Sequence, residues 1–173
     1  VHDSFTASTA MVGAAGEHYV MSQLLIRGYI AALAPQGAPN LDIIVSSADG
    51  TRQAGIQVKT RRLSKTKNWT MSKKNEEFCS PSVYYCLVQL AADALEKPEV
   101  FIVPSSVVAD LLYRSHRSWL NLTSLDGKKR TDTNRRSLDW DFSRIFREED
   151  TGFGAGWLEQ YRDNWAQLHV STS

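Results

Sequence analysis

The sequence predicts an α/β fold, and three observations predict it. A capped stretch with helical spacing opens the chain. Two short β-prone runs flank Asp49-Gly50, and an unbroken apolar run, SVYYCLVQL, is followed by VFIV and an amphipathic helix. With 173 residues, 42% hydrophobic and 23% charged, the chain has ordinary globular composition and is long enough to bury a core. One domain spanning 1–173 is expected, with a core over about 9–113 and helical decoration over about 138–169.

Taken in order, STAMVGAAGEHYVMSQLLIRG reads as a first helix. Ser8 or Thr9 caps it, Val12, Ala15, Tyr19 and Ile26 recur at helical spacing, and Gly28 ends it. APQGAPN, from Ala34 to Asn40, is turn-rich. Leu41 to Val45 form a short strand, and a second runs from about Arg52 to Thr60. From Arg61 to Pro81 the periodicity lapses and the composition turns polar and basic, so a long loop is expected there. SVYYCLVQL lacks alternation, as a strand covered on both faces does. VFIV adds another strand, and Pro104-Ser105-Ser106 starts a helix with Val107, Val108, Leu111 and Leu112 on one side. Asn121 to Arg136 reads as a surface excursion. Trp157, Tyr161, Trp165 and Leu168, spaced by about four, argue a docked amphipathic helix. The predicted order is α-β-β-β-β-α with C-terminal helical decoration.

Composition excludes several classes. No run of about 18 apolar residues exists, and no basic start precedes an apolar stretch, so a cytoplasmic protein without a membrane partner is expected. Cys79 and Cys86 form no CxxC pair, which argues against a disulfide framework or a zinc site. The formal net charge is +1, so any affinity for nucleic acid must come from where the cations lie.

The polar residues in the two short strands carry the functional reading. If Asp49 and Gly50 are the centre of a two-residue turn, Ala48 faces Thr51 and opposed residues have numbers summing to 99. Asp42 then lies opposite Gln57, and Lys59 shares the face of Gln57. Leu41, Ile43, Val45, Ile56 and Val58 point the other way, as core. A loop one residue longer or shorter, or a bulge, would split the cluster.

These residues resemble the PD-(D/E)XK nuclease superfamily, in a Q-x-K variant. GAAGEHYVMSQLLIRGY resembles its first helix, with Glu17 in place of the helix acid. Asp42 resembles the strand acid, and IQVKT the D/E-x-K element. Pro39 stands three residues before the acid, and Gln57 replaces the usual Glu or Asp. The resemblance implies a restriction-endonuclease-like core, a helix followed by a mixed sheet of four or more strands flanked by helices. It also implies a Mg²⁺- or Mn²⁺-dependent endonuclease acting on phosphodiester bonds of DNA. Glu17, Asp42, Gln57 and Lys59 would be catalytic, and Glu17, Asp42, the Gln57 oxygen and the Val58 carbonyl would ligate the metal.

That chemistry suits the residue types. Mg²⁺ takes hard oxygen ligands and usually one or two carboxylates, and an amide oxygen adds a ligand without charge. A nearby lysine can orient the attacking water or stabilise phosphoryl oxygens. Glu17 also has a structural reading, as an acid near a helix N-terminus, and Lys59 another, as the ion-pair partner of Asp42. From Thr51 to Asn75 no acid occurs, and Arg61, Arg62, Lys65, Lys67, Lys73 and Lys74 surround Trp69. This run is the expected nucleic-acid contact, with Trp69 stacking on a base. The blander alternative is a solvated loop with Trp69 in the core. A homodimer would suit cleavage of both strands. Two alternatives stand beside the nuclease: an inactive nucleic-acid-binding module of the same fold, and a protein-interaction domain using the C-terminal aromatic stripe.

Overall fold

The computed structural model describes residues 7–63, 68–93, 95–122, 127–146 and 152–168. Helix α1 (Thr9–Ile26) begins at Ser8, whose hydroxyl accepts from the Met11 N–H at 3.3 Å. It ends before Gly28, which takes the left-handed conformation, φ +83°. Its buried stripe is Gly16, Val20 and Leu24, one step round from the predicted stripe, and Ile26 is 77% exposed. The reason is a close approach: α1 lies so near the sheet that a Cβ at Gly16 would overlap the Thr60 side chain. Gly13, by contrast, faces open space.

A five-stranded sheet has the order β1-β2-β3-β5-β6, with β1 (Ile30–Leu33), β2 (Ile43–Ser46), β3 (Gln53–Arg62), β5 (Val83–Leu90) and β6 (Glu99–Pro104). All neighbours are antiparallel except β3 and β5, which run parallel and therefore need a crossover. The crossover holds β4 (Asn68–Ser72) and helix α2 (Lys73–Glu77), where a long loop was expected. β4 pairs antiparallel with β7 (Arg135–Asp139) as a separate ribbon. That partner comes from far along the chain, so local patterning carries no sign of it. Helix α3 (Ser105–Asn121) follows β6 as predicted. Ser105 does not cap it but is buried, its hydroxyl donating to the Ser80 carbonyl at 2.8 Å.

The core has two parts. On one face of the sheet Ile43, Val45, Ile56, Val58, Tyr84, Cys86 and Val88 pack with Val20 and Leu24 of α1. On the other, Tyr85, Leu87, Phe101 and Val103 pack with Leu111 and Leu112 of α3 and with Trp69 and Leu138 of the ribbon. β5 is buried on both faces over Val83–Gln89, as its unbroken apolar run predicts. At roughly 1.5–3 kcal/mol for each large apolar side chain buried, this double coverage holds β3 and β5 rigidly side by side.

Trp157, Tyr161, Trp165 and Leu168 are all buried, so the aromatic stripe is core. They do not lie on one α-helix. Two 3₁₀ turns, Trp157–Tyr161 and Trp165–Leu168, carry them. Between the turns Arg162 bridges to Phe101 of β6, the Asp163 N–H donates to the Val100 carbonyl at 2.9 Å, and Asp163 is left-handed at φ +47°. Pairing with the sheet edge interrupts the helix. Among the described residues no helix is long and apolar enough to cross a membrane.

Candidate active site

The β2–β3 hairpin sets the site. The Gly50 N–H donates to the Ser47 carbonyl and the Ser47 N–H to the Arg52 carbonyl, each at 2.9 Å, so the loop is Ala48–Thr51, four residues long. The two extra residues add one to each side of the predicted turn. The register is therefore unchanged: Ile43 faces Ile56 and Val45 faces Ala54. The Asp49 carboxylate accepts from the Ser47 hydroxyl and from both the N–H and hydroxyl of Thr51, which holds its pKa down at about 2.

At the other end the prediction fails by one pair. The β2 ladder stops at Ile43, and the Asp42 N–H donates to the Ile56 carbonyl at 2.8 Å. Asp42 is not paired with Gln57. Its Oδ2 reaches across and accepts from the Val58 N–H at 2.7 Å. Asn40, two residues earlier, takes a left-handed φ of +64° and redirects the chain into this bend.

The consequence is an open edge. β3 runs to Arg62, paired with β5 from Gly55 onward, while β2 covers it only over Gln53–Ile56. In a strand the N–H and C=O of one residue point to the same side, so the Val58 carbonyl also faces this edge. Asp42 lies in the plane of the sheet beside it. Glu17 approaches from the α1 face. Gln57 and Lys59, alternating with the core residues Ile56 and Val58, project from the opposite face.

Electrostatics tie these groups together. Burial raises the Glu17 carboxyl above its ordinary range, the Asp42 charge raises it further, and His18 partly offsets both. Burial lowers the Lys59 ammonium, Asp42 opposes that shift, and Lys74 adds to it. Tyr85 is raised by burial and by Asp42, and lowered by its hydrogen bond with Asn75. Asp42 is thus the charge that Glu17, Lys59 and Tyr85 all feel.

Two residues here were not foreseen. Asn75 is buried at 4% exposure, and its Nδ2 donates to Gln57 Oε1 and to the Tyr85 hydroxyl, each at 3.1 Å. Both left a trace in the sequence. Asn75 stands three residues after Ser72, a capping-box spacing, and a tyrosine inside an apolar strand needs a partner for its hydroxyl.

The Asp42 charge disfavours a second charge on Glu17, a repulsion that a cation between them would relieve, and the Val58 carbonyl faces the same open edge. The Gln57 amide, by contrast, lies on the other face of the sheet, held by Asn75. Gln57 Oε1 already accepts from Asn75, which leaves one lone pair for a further bond. Among the described residues no group of three or more His, Cys, Asp or Glu side chains forms a metal cluster, so a metal here would depend on neutral oxygens and water.

The expected nucleic-acid run divides. Arg62 is exposed at the end of β3, and Lys73 and Lys74 are exposed on α2. Lys65 and Lys67 lie outside the described residues. Trp69 is only 2% exposed, with its Nε1 donating to the Val88 carbonyl and its ring stacked on Trp140 at 6.0 Å. It has no face for a base, which corrects that expectation. Arg61 lies over Trp69 at 4.3 Å and donates to Gln89, so it braces the sheet instead of reaching outward.

No family model matches the sequence, and neither does any curated protein. Among solved structures, the bacterial homing endonuclease I-Ssp6803I is similar at a TM-score of 0.53 and 14% identity, covering 95% of this chain and 93% of its own. The Holliday junction resolvase Hjc of Archaeoglobus fulgidus gives a TM-score of 0.41 at 14% identity, over 78% of this chain and 87% of its own. The first of these likenesses and the strand order together make the fold a restriction-endonuclease-like one: a helix, then a mixed five-stranded sheet flanked by helices.

Proposed function

We propose that this protein is a divalent-metal-dependent nuclease that hydrolyses phosphodiester bonds in DNA. The observation that carries the reading is Asp42 held on the Val58 N–H at an open strand edge, its charge acting on Glu17 from one face and Lys59 from the other. Glu17, Asp42, the Gln57 oxygen and the Val58 carbonyl would hold Mg²⁺ or Mn²⁺. Such an ion supplies a more acidic bound water and neutralises phosphoryl charge. Lys59 presents a half-buried ammonium beside the same edge, where it donates hydrogen bonds to a phosphoryl oxygen or to the attacking water. Exposed Arg62, Lys73 and Lys74 hold the phosphate backbone.

The test is cleavage of supercoiled plasmid, linear duplex, single-stranded DNA and RNA, with Mg²⁺, Mn²⁺ or EDTA. We expect metal-dependent cleavage that EDTA and Asp42→Ala abolish and that Lys59→Ala lowers by about 10²-fold or more. Absence of cleavage by the wild type with every metal and substrate overturns the reading.

A second reading has one observation in its favour: the amide at Gln57 where the resemblance calls for an acid. An inactive binding module of the same fold would bind DNA in a salt-dependent way without turnover, and Asp42→Ala would leave that binding unchanged.

A further inference from the structure

Asn75 occupies a position that the chemistry above does not use. Its Oδ1 accepts from the Ser72 N–H at 2.9 Å and from the Ser72 hydroxyl at 3.0 Å, at the start of α2. A backbone N–H can only donate, so Asn75 must turn its oxygen to Ser72 and its NH₂ group inward. Both hydrogens of that group are then committed, one to Gln57 Oε1 and one to the Tyr85 hydroxyl. Gln57 in turn must offer Asn75 its oxygen, because its own NH₂ would set donor against donor. Tyr85 must accept there too, which sends its own hydrogen elsewhere. The chain of constraint starts at a main-chain group and ends at a residue of the candidate site.

We propose that Asn75 is the positioning residue of the site: it holds the Gln57 amide with Oε1 turned toward α2 and constrains the direction of the Tyr85 O–H. The same side chain ties α2, and with it the exposed Lys73 and Lys74, to Gln57. α2 therefore reaches the site both through this buried amide and through the Lys74 charge that acts on Lys59. The role in turnover rests on the nuclease reading above, whereas the orientation of Gln57 does not.

Asn75→Asp separates the two jobs of the residue. A carboxylate still accepts from Ser72, so the start of α2 is kept, but it has no hydrogen for Gln57 or Tyr85. Gln57 must then reverse its amide and donate. Ser72→Ala is the converse control, removing one bond to Asn75 while leaving both inward donors in place. In the metal-free protein, we expect the Gln57 side-chain amide resonances to move in Asn75→Asp and to stay put in Ser72→Ala, with both variants folded by circular dichroism. With Mg²⁺ and duplex DNA, we expect Asn75→Asp to lower kcat by roughly 10- to 100-fold with KM little changed, the usual scale for losing a group that orients a ligand. Mn²⁺ affinity measured by calorimetry should change in Asn75→Asp only. Unmoved Gln57 resonances in Asn75→Asp overturn the proposal whether or not the protein cleaves DNA. If the wild type cleaves and kcat of Asn75→Asp stays within about twofold of it, the catalytic part falls while the orientation stands or falls by the resonances.

Discussion

At the scale of single residues, Glu17 is a carboxylate whose surroundings in the folded protein disfavour its charge. Its folded-state pKa lies above the ordinary value of 4.5, raised by burial first and by Asp42 second. The sign follows directly: the folded protein holds this proton more tightly than the unfolded chain, so stability falls as pH rises through the window just above 4.5. Glu17→Gln removes that penalty. We expect a metal-free Glu17→Gln protein to melt slightly higher than wild type at pH 7 and no differently near pH 4, measured by calorimetry. We also expect Mg²⁺ to raise the melting temperature of wild type but not of Glu17→Gln, since only a ligand of the folded state adds stability. A lower melting temperature at pH 7 would mean that Glu17 makes a favourable bond in the metal-free protein. Glu17, Asp42, Gln57 and Lys59 enter the candidate site from the sequence, through residue type and spacing. Asn75 was not singled out, because its partners lie 18 and 10 positions away and only folding brings them together.

At the scale of elements, the contact between α1 and β3 governs how Glu17 is delivered. Gly16 sits against Thr60, and a methyl group there would overlap that side chain. Gly16→Ala gains helix propensity, worth at most about 1 kcal/mol, but the overlap costs about 1–3 kcal/mol by overpacking. We expect net destabilisation by chemical denaturation, together with reduced cleavage by the fraction that remains folded, because α1 must move outward with Glu17. Equal stability would show that α1 has room the structure does not suggest. Elements with strong local signals came through the sequence: the capped first helix, the hairpin and the double-buried β5. β4, β7 and the two 3₁₀ turns did not, since each is stabilised by partners distant in the chain, and local periodicity cannot register a pairing such as Trp69 with Leu138.

For the whole molecule, a net charge of +1 gives little long-range attraction for DNA, so the proposed binding would depend on local cations. Arg62, Lys73 and Lys74 are exposed, whereas Arg61 is held within the fold. We expect Arg62→Ala and Lys74→Ala each to reduce the slope of log affinity against log salt by about 1, in fluorescence titrations of duplex DNA, and Arg61→Ala to act on stability instead. An unchanged slope in both surface variants would move the DNA path elsewhere. The sequence by itself determined the α/β class and the hairpin register over Ile43–Ser46, because these depend on short-range periodicity and turn residues, and it supplied the residue types of the candidate site. Only the tertiary structure decided that β2 begins at Ile43 and leaves Asp42 outside the ladder, that Asp42 reaches the Val58 N–H, and that Trp69 is packed away. Those outcomes are set by which distant surfaces compete to bury apolar area and satisfy backbone groups, and that competition is resolved only when α1, the ribbon and the sheet close on one another.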